Sequence, residues 1–304
     1  MTPTDSQHSG VLAAFSSYLI WGLLPLYWAM LSFLPALDVL MYRILFAFIF
    51  MLFLYLFQET KRIYKQELHW VFKNKKHFIK MSLAACLISV NWFLFIFAVT
   101  SDKVIDASLG YYINPLLNVV LAMVFLKEKL SKAEIVAVCS ACVGVSILIL
   151  LSGHIPWASF GMALSFCLYG LIKRTIPLSA KSGLLIETIL VTPIAILYLS
   201  LLSTTEWNQF NLETIVLLFG AGIATAVPLM LFSYGARRIS FSLIGFLQYI
   251  APTSMLILGI FVFGEPFTSV EFLAFLFIWI GLIVFTSSKL LERKKRTLTS
   301  SKMN

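Results

Sequence analysis

The sequence predicts an all-α membrane protein, a polytopic helical bundle of ten transmembrane helices in two inverted five-helix repeats. Three observations predict it. The composition is 60% apolar and only 12% charged over 304 residues, with a mean hydropathy of +0.92, whereas a soluble domain carries roughly 25% charged residues. A chain so poor in charge cannot cover a water-facing surface. The apolar residues fall into ten runs of membrane-spanning length, and two stretches of the chain align with each other.

A helix needs about 20 apolar residues to cross a hydrocarbon core of about 30 Å. The runs are 11–31, 38–57, 78–99, 105–126 and 133–151 in the first half, then 157–173, 183–203, 212–234, 240–263 and 269–288 in the second. Turn-forming or polar stretches separate them: Pro35–Asp38, Gln58–His77, Ser152–Pro156, Ser203–Gln209 and Gly264–Pro266. The expected organisation is a cytoplasmic segment 1–10, a first five-helix repeat 11–151, a second, inverted repeat 157–288, and a basic cytoplasmic tail 289–304. Residues 1–10 lack the basic start of a secretory signal, and the first apolar run is too long for its hydrophobic region, so the first helix is expected to be retained.

Charge supports this count. With the N-terminus in the cytoplasm, every Lys and Arg except Arg43 and Lys103 falls in a cytoplasmic loop or the tail, out of 23 in all. The reverse orientation, or an odd number of spans, destroys that alternation. The net charge of +9 therefore sets topology and contacts anionic lipid headgroups. Nucleic acid is excluded as a partner, because the basic residues sit in short clusters between apolar runs rather than along one face. Cys86, Cys139, Cys142 and Cys167 lie within apolar runs and the four histidines outside them. Cys139 and Cys142 have CxxC spacing, but no further Cys or His completes a metal set, so they are expected to be small packing residues.

The repeat is legible at an offset of 137 residues. It pairs Tyr112 with Tyr249, Ile113 with Ile250, Pro115 with Pro252, Leu121 with Leu258, Glu128 with Glu265, Glu134 with Glu271, and Gly144 with Gly281; Ser131 matches Thr268. A weaker echo at 151 residues pairs Gly10 with Gly161, Phe15 with Phe166 and Tyr18 with Tyr169. Five helices per copy is an odd number, so the second copy inserts upside down. Glu128 accordingly lies among lysines, whereas Glu265 lies in a loop without Lys or Arg. Inverted repeats are a recurring design of secondary transporters, because exchanging the conformations of two halves gives alternating access.

Asn91-Trp92-Phe93, the run from Ala107 to Leu116, Glu128 after it, and the run from Gly245 to Thr253 together resemble the RarD branch of the EamA-type drug/metabolite transporter superfamily. Arg43, the Tyr169–Ile172 stretch before Lys173-Arg174, and Glu187 also fit that branch. The resemblance covers nearly the whole chain. It implies ten helices in two five-helix halves and a permease of the bacterial inner membrane, with efflux of a drug or metabolite as the family-level expectation; it implies no particular solute.

Pro115 and Pro252 each remove one helical hydrogen bond, freeing the carbonyls of Tyr111 and Gln248. In a membrane those carbonyls need a partner. The neighbouring Tyr111, Tyr112, Asn114, Gln248 and Tyr249 are therefore candidates for a central cavity, or the prolines only kink two helices for packing. Asn91 and Trp92 lie mid-span; a buried amide without a partner costs several kcal/mol, so Asn91 faces either a cavity or a neighbouring helix backbone. Tyr18 and Trp21 are weaker cavity candidates. Arg43 and Glu187 are the charges most clearly inside spans, and such residues are gating or coupling candidates; snorkelling to the interface is the alternative. Each should sit about 7–8 Å from opposite membrane faces, roughly 15 Å apart along the normal, too far for a salt bridge. Arg43 is expected to line an outer vestibule and attract anionic groups, and Glu187 to meet Lys173 or Arg174 or to bind a coupling proton.

No catalytic set is found: GxSxG, HExxH, Walker A and GxGxxG are all absent. No enzyme activity, cofactor or metal is expected, and without a nucleotide-binding segment the chain is no primary pump by itself. The expected partners are a small-molecule solute, a proton as coupling ion and membrane lipids; a homodimer is compatible with the sequence. A scaffold or receptor subunit without flux, or an intramembrane enzyme acting on lipid-linked substrates, is the alternative.

Overall fold

The computed structural model describes residues 3–57, 61–127, 130–152, 155–173, 175–205, 210–236, 238–239 and 241–301. Among the positions named above, Gln58, Glu128, Arg174 and Gln209 lie outside them. The described chain is all helical, with no strands. The helices are α1 (Pro3–Ala29), α2 (Ala36–Phe57), α3 (Lys61–Lys73), α4 (Lys75–Thr100), α5 (Val104–Leu126), α6 (Lys132–Ser152), α7 (Trp157–Lys173), α8 (Ala180–Leu201), α9 (Leu212–Ala236), α10 (Phe241–Leu247), α11 (Ile250–Phe261) and α12 (Ser269–Ser301). Eight of them, α1, α2, α4, α5, α6, α8, α9 and α12, are long and apolar enough to cross a membrane; α7 and α11 are shorter apolar helices. The outward surface confirms the solvent: Leu150, Phe261 and Leu212 are each more than three-quarters exposed, which water would penalise and lipid does not. The chain is a multi-pass membrane protein.

The structure departs from the sequence reading in four places. The polar stretch 58–77 contains α3, whose Val71 is fully buried with Met81, Ile176 and Ile186; a short helix with one apolar face gives no spanning signal. The run 240–263 is two helices with a turn at Gln248 and Tyr249. Residues 3–10 and 289–301 are helical, as extensions of α1 and α12. Cys139 and Cys142 are exposed on the outward face of α6 rather than packed inside.

Helix starts follow local chemistry. Ser131 and Glu134 form a capping box on α6, with the Ser131 N–H donating to Oε2 of Glu134 at 2.7 Å and the Glu134 N–H to Oγ of Ser131 at 3.3 Å. Thr268 and Glu271 repeat it on α12 at 2.7 and 3.3 Å. Each box satisfies two N–H groups that the first helical turn leaves unpaired.

Among the helix pairs that pack between the first and second halves of the chain, three join equivalent positions of the repeat and run antiparallel. On α6 and α12, a Cβ on Gly144 would sit 2.5 Å from the carbonyl oxygen of Ala274, and one on Gly281 would sit 2.7 Å from that of Ala137; only glycine allows so close an approach. Between them the Ser140 hydroxyl donates to the Phe277 carbonyl at 2.6 Å. On α5 and α11, Gly259 meets Ile105, Ser108 donates to the Pro252 carbonyl at 2.8 Å, and the rings of Tyr112 and Tyr249 stack at 6.4 Å. On α2 and α8, Asp38 meets Tyr198 at one end, and Met51 clusters with Leu184 and Leu185 toward the other. Around these pairs, α1 packs on α9 and α11, α7 on α4 and α5, α9 on α2, and α8 on α4.

Candidate functional site

At the middle of the bundle α2 carries Arg43, only 4% exposed. Its Nε donates to Oγ1 of Thr225 on α9 at 2.9 Å. The guanidinium carbon lies 4.8 Å from the ring centroid of Trp28 on α1 and 4.3 Å from that of Trp92 on α4, so the cation is held between two indole faces. Tyr111 of α5 lies within electrostatic reach of it. Five helices therefore converge on one guanidinium. Nη1 of Arg43 and Nε1 of Trp28 are both buried with no hydrogen-bond partner.

The twin prolines do not do the same thing. Pro115 lies inside α5. Pro252 is the third residue of α11, just after the turn at Gln248 and Tyr249, where a helix has no N–H bond to lose. In place of a matched pair there is thus a proline inside an unbroken helix on one side and a helix break on the other. The tyrosines beside them do meet: Tyr112 shares a 2.7 Å hydrogen bond with Thr253 and packs edge-on to Phe275 and Trp279 as well as stacking on Tyr249. Gln248 is half-buried in the turn.

Other candidates turn elsewhere. Asn91 donates from Nδ2 to the Met162 carbonyl at 2.8 Å and to Ser165 Oγ at 3.4 Å, tying α4 to α7; this is the neighbouring-helix arrangement rather than the cavity one. Asn114 faces Cys167 of α7, whose Sγ lies 3.4 Å from its carbonyl oxygen. Tyr18 and Trp21 form an aromatic cluster with Phe232, centroids 5.5 to 5.8 Å apart.

Glu187 on α8 is 3% exposed. It accepts from Lys173 Nζ at 2.7 Å and from the Tyr169 hydroxyl at 3.2 and 3.3 Å. Among the described residues this is the one ion pair, and Arg43 and Glu187 do not touch.

Asp38 was not among the candidates read from the sequence. Read as punctuation before a span, it is 1% exposed and accepts hydrogen bonds from Tyr198 at 2.8 Å, Ser203 at 2.8 Å and Thr205 at 2.5 Å. It thereby ties the start of α2 to the end of α8 and the loop after it. Trp28 and Thr225, which hold Arg43, were not among the candidates read from the sequence. Glu265, in the loop after α11, takes the N–H groups of Val104 and Ile105 at 2.5 and 2.8 Å and caps α5. Burial pushes its carboxyl above the usual carboxylate range, against the opposing effect of those N–H groups. Among the described residues no cluster of His, Cys, Asp and Glu could hold a metal.

The sequence profile of the EamA-like transporter family matches residues 8–150. The chain is 44% identical over 283 residues to the uncharacterized transporter YojE of Bacillus subtilis, covering 92% of this chain and 94% of that one. It is 36% identical over 289 residues to protein RarD of Escherichia coli, covering 94% and 96%. A protein of known crystal structure superposes on 95% of this chain and 99% of its own length with a TM-score of 0.57 at 20% identity, a likeness of fold.

Proposed function

The chain belongs to the EamA-like transporter family and is a homologue of the RarD proteins, and from that premise we propose that it is a secondary carrier moving a small drug-like or metabolite solute by alternating access. Its ten spans are the eight long helices, α7, and the broken pair α10–α11. They form two five-helix halves of opposite orientation in the cytoplasmic membrane, with both termini in the cytoplasm and efflux as the working direction.

One observation carries this reading: residues 137 apart in sequence meet across antiparallel helices. Gly144 rests on Ala274 where Gly281 rests on Ala137, and Ser140 bonds to Phe277. Tyr112 stacks on Tyr249. Exchanging the halves also maps the main remaining contacts between them onto one another: α4 on α7 becomes α9 on α1, α5 on α7 becomes α11 on α1, and α2 on α9 becomes α8 on α4. Two halves joined by so symmetrical a seam have two equivalent ways to rock, which is what alternating access needs. The match of the family profile to 8–150, close to one five-helix unit, supports the same division.

The solute site lies where α1, α2, α4, α5 and α9 converge, and the helix break at Gln248 and Tyr249 packs on Tyr112, the residue after Tyr111. Broken helices near the midplane are a recurring place for transporter substrates. Glu187 is the coupling carboxylate: a proton arriving there releases Lys173, and Tyr169 stays as its donor. Counterflow in proteoliposomes tests the carrier. Preloaded solute should drive uptake of labelled solute from a panel of metabolites and drugs, and Glu187→Gln should remove the response to a proton gradient. A panel without any counterflow contradicts the reading.

A further inference from the structure

We infer that Arg43 is the anchor of a solute site selective for small organic monocarboxylates with an apolar, preferably aromatic body. This rests on the carrier reading and names the class of its cargo.

The argument starts from charge. A guanidinium keeps its charge in proteins, and a buried charge is normally paired. Arg43 is buried, yet its described neighbours supply a threonine hydroxyl and aromatic faces but no carboxylate. The buried acids of the described chain are Asp38, Glu134 and Glu187. Asp38 is taken by Tyr198, Ser203 and Thr205, Glu134 by the cap of α6, and Glu187 by Lys173 and Tyr169. Among the described residues, no buried carboxylate is left to neutralise Arg43.

The unfilled valences also have a direction. Two buried N–H donors without partners, Nη1 of Arg43 and Nε1 of Trp28, belong to side chains in contact with each other. Both donate and neither accepts, so the complementary group carries acceptor oxygens and negative charge. One cation neutralises one unit of charge, and the described contacts of Arg43 are a hydroxyl and two indole faces, with no second cation among them. A carboxylate fits that balance; a phosphate dianion would bring a second charge with nothing to meet it. The indoles of Trp28 and Trp92, with Tyr111 and Phe95 packed behind, suit a flat apolar body. Trp92 and Tyr111 are the half-buried members of the group, while Trp28 is fully buried. A solute therefore enters from the α4–α5 side.

The test uses matched probes on the purified full-length protein in detergent: benzoate against benzamide, and indole-3-acetate against indole-3-acetamide, with phenyl phosphate as a third arm. Binding to the folded state raises the unfolding midpoint in proportion to occupancy. At least one acid should stabilise the wild type with a half-saturating concentration roughly tenfold or more below that of its amide, a preference of the size a charge-assisted pair gives. Arg43→Gln should erase that preference and Arg43→Lys should keep part of it. Trp28→Phe keeps a ring face but removes the Nε1 donor, so it should weaken the acid and leave the amide unchanged; it gives a second test if Arg43→Gln does not fold. Equal effects of acid and amide, no stabilisation by either acid, or stronger binding of phenyl phosphate than of both acids each overturns the assignment. Counterflow on the same preparation separates the two claims. Flux of panel solutes without preference for acids leaves the carrier standing and removes this inference, whereas acid binding without any flux strikes the carrier reading alone.

Discussion

Adding one methyl group at Gly144 should separate two helices and cost far more than glycine's helix propensity would suggest. A Cβ there would stand 2.5 Å from the Ala274 carbonyl oxygen, and ordinary contact begins at 3.4 Å, so α6 and α12 must part by up to about 0.9 Å, the difference of those two distances. Parting them by that much also stretches the 2.6 Å bond from Ser140 to Phe277 to about 3.5 Å, beyond useful hydrogen-bond length. Overpacking costs typically about 1–3 kcal/mol, and an interhelical hydrogen bond in a membrane contributes about 0.6 kcal/mol. The expected loss for Gly144→Ala is therefore about 2–3 kcal/mol, and Gly281→Ala, 2.7 Å from Ala137, should lose slightly less. The double variant should lose less than the sum, because the first substitution has already opened the seam that the second would open. Gly170 supplies the control: nothing lies within 4 Å of its added Cβ, so Gly170→Ala should be neutral or stabilise by up to about 1 kcal/mol. Unfolding midpoints in detergent, or unfolding in mixed micelles by a denaturing detergent, measure all four. Additive losses, or a Gly144→Ala variant as stable as wild type, would refute the antiparallel register of α6 and α12.

Other buried charges give further tests. Lys173→Met should destabilise by about 3–5 kcal/mol, since it strands Glu187 without its cation, and adding Glu187→Gln should recover most of that loss in the same melt. Asp38→Ala removes the acceptor shared by three hydroxyls and should cost about 2–4 kcal/mol, read as a lower midpoint and as faster proteolysis in the loop after α8. Glu265 predicts a pH dependence. Its folded carboxyl is raised above the unfolded value, so the folded state holds the proton more tightly; its contribution is fully present below the unfolded pKa of about 4.3 and is lost as pH rises through the folded value. Wild type should therefore lose stability relative to Glu265→Gln as pH is raised through that window, and a difference that is flat or grows in the opposite sense contradicts it.

Much of the fold was legible because lipid imposes a coarse rule on sequence. Each apolar run is helical in the structure, since a backbone in hydrocarbon must satisfy its own hydrogen bonds. What escaped was whatever is set by a neighbour rather than by composition. Helix α3 is amphipathic and short, and only the apolar residues it meets on α4 and α8 and in the segment between α7 and α8, such as Met81, Ile176 and Ile186, reveal its buried face. The repeat identities were of mixed origin. Glu134 and Glu271 match because both close capping boxes, a matter of local chemistry, whereas Gly144 and Gly281 match because each is pressed against the other's helix. The matched prolines misled: Gln248 and Tyr249 unwind just before Pro252, and nothing equivalent happens before Pro115. At the candidate site, Arg43, Trp92 and Tyr111 could be picked out as polar or amphipathic groups at membrane depth. Trp28 and Thr225 could not, because their value lies in contacts with a residue 15 and 182 positions away on other helices.

The most direct measurement concerns the orientation of the halves. In a variant without its four native cysteines, single cysteines placed at Ser9 and at Gly264 are probed with a membrane-impermeant maleimide, first in intact cells and then in inverted vesicles. Opposed halves predict that the Gly264 position labels only in cells and the Ser9 position only in inverted vesicles. Labelling of both from one side would contradict them.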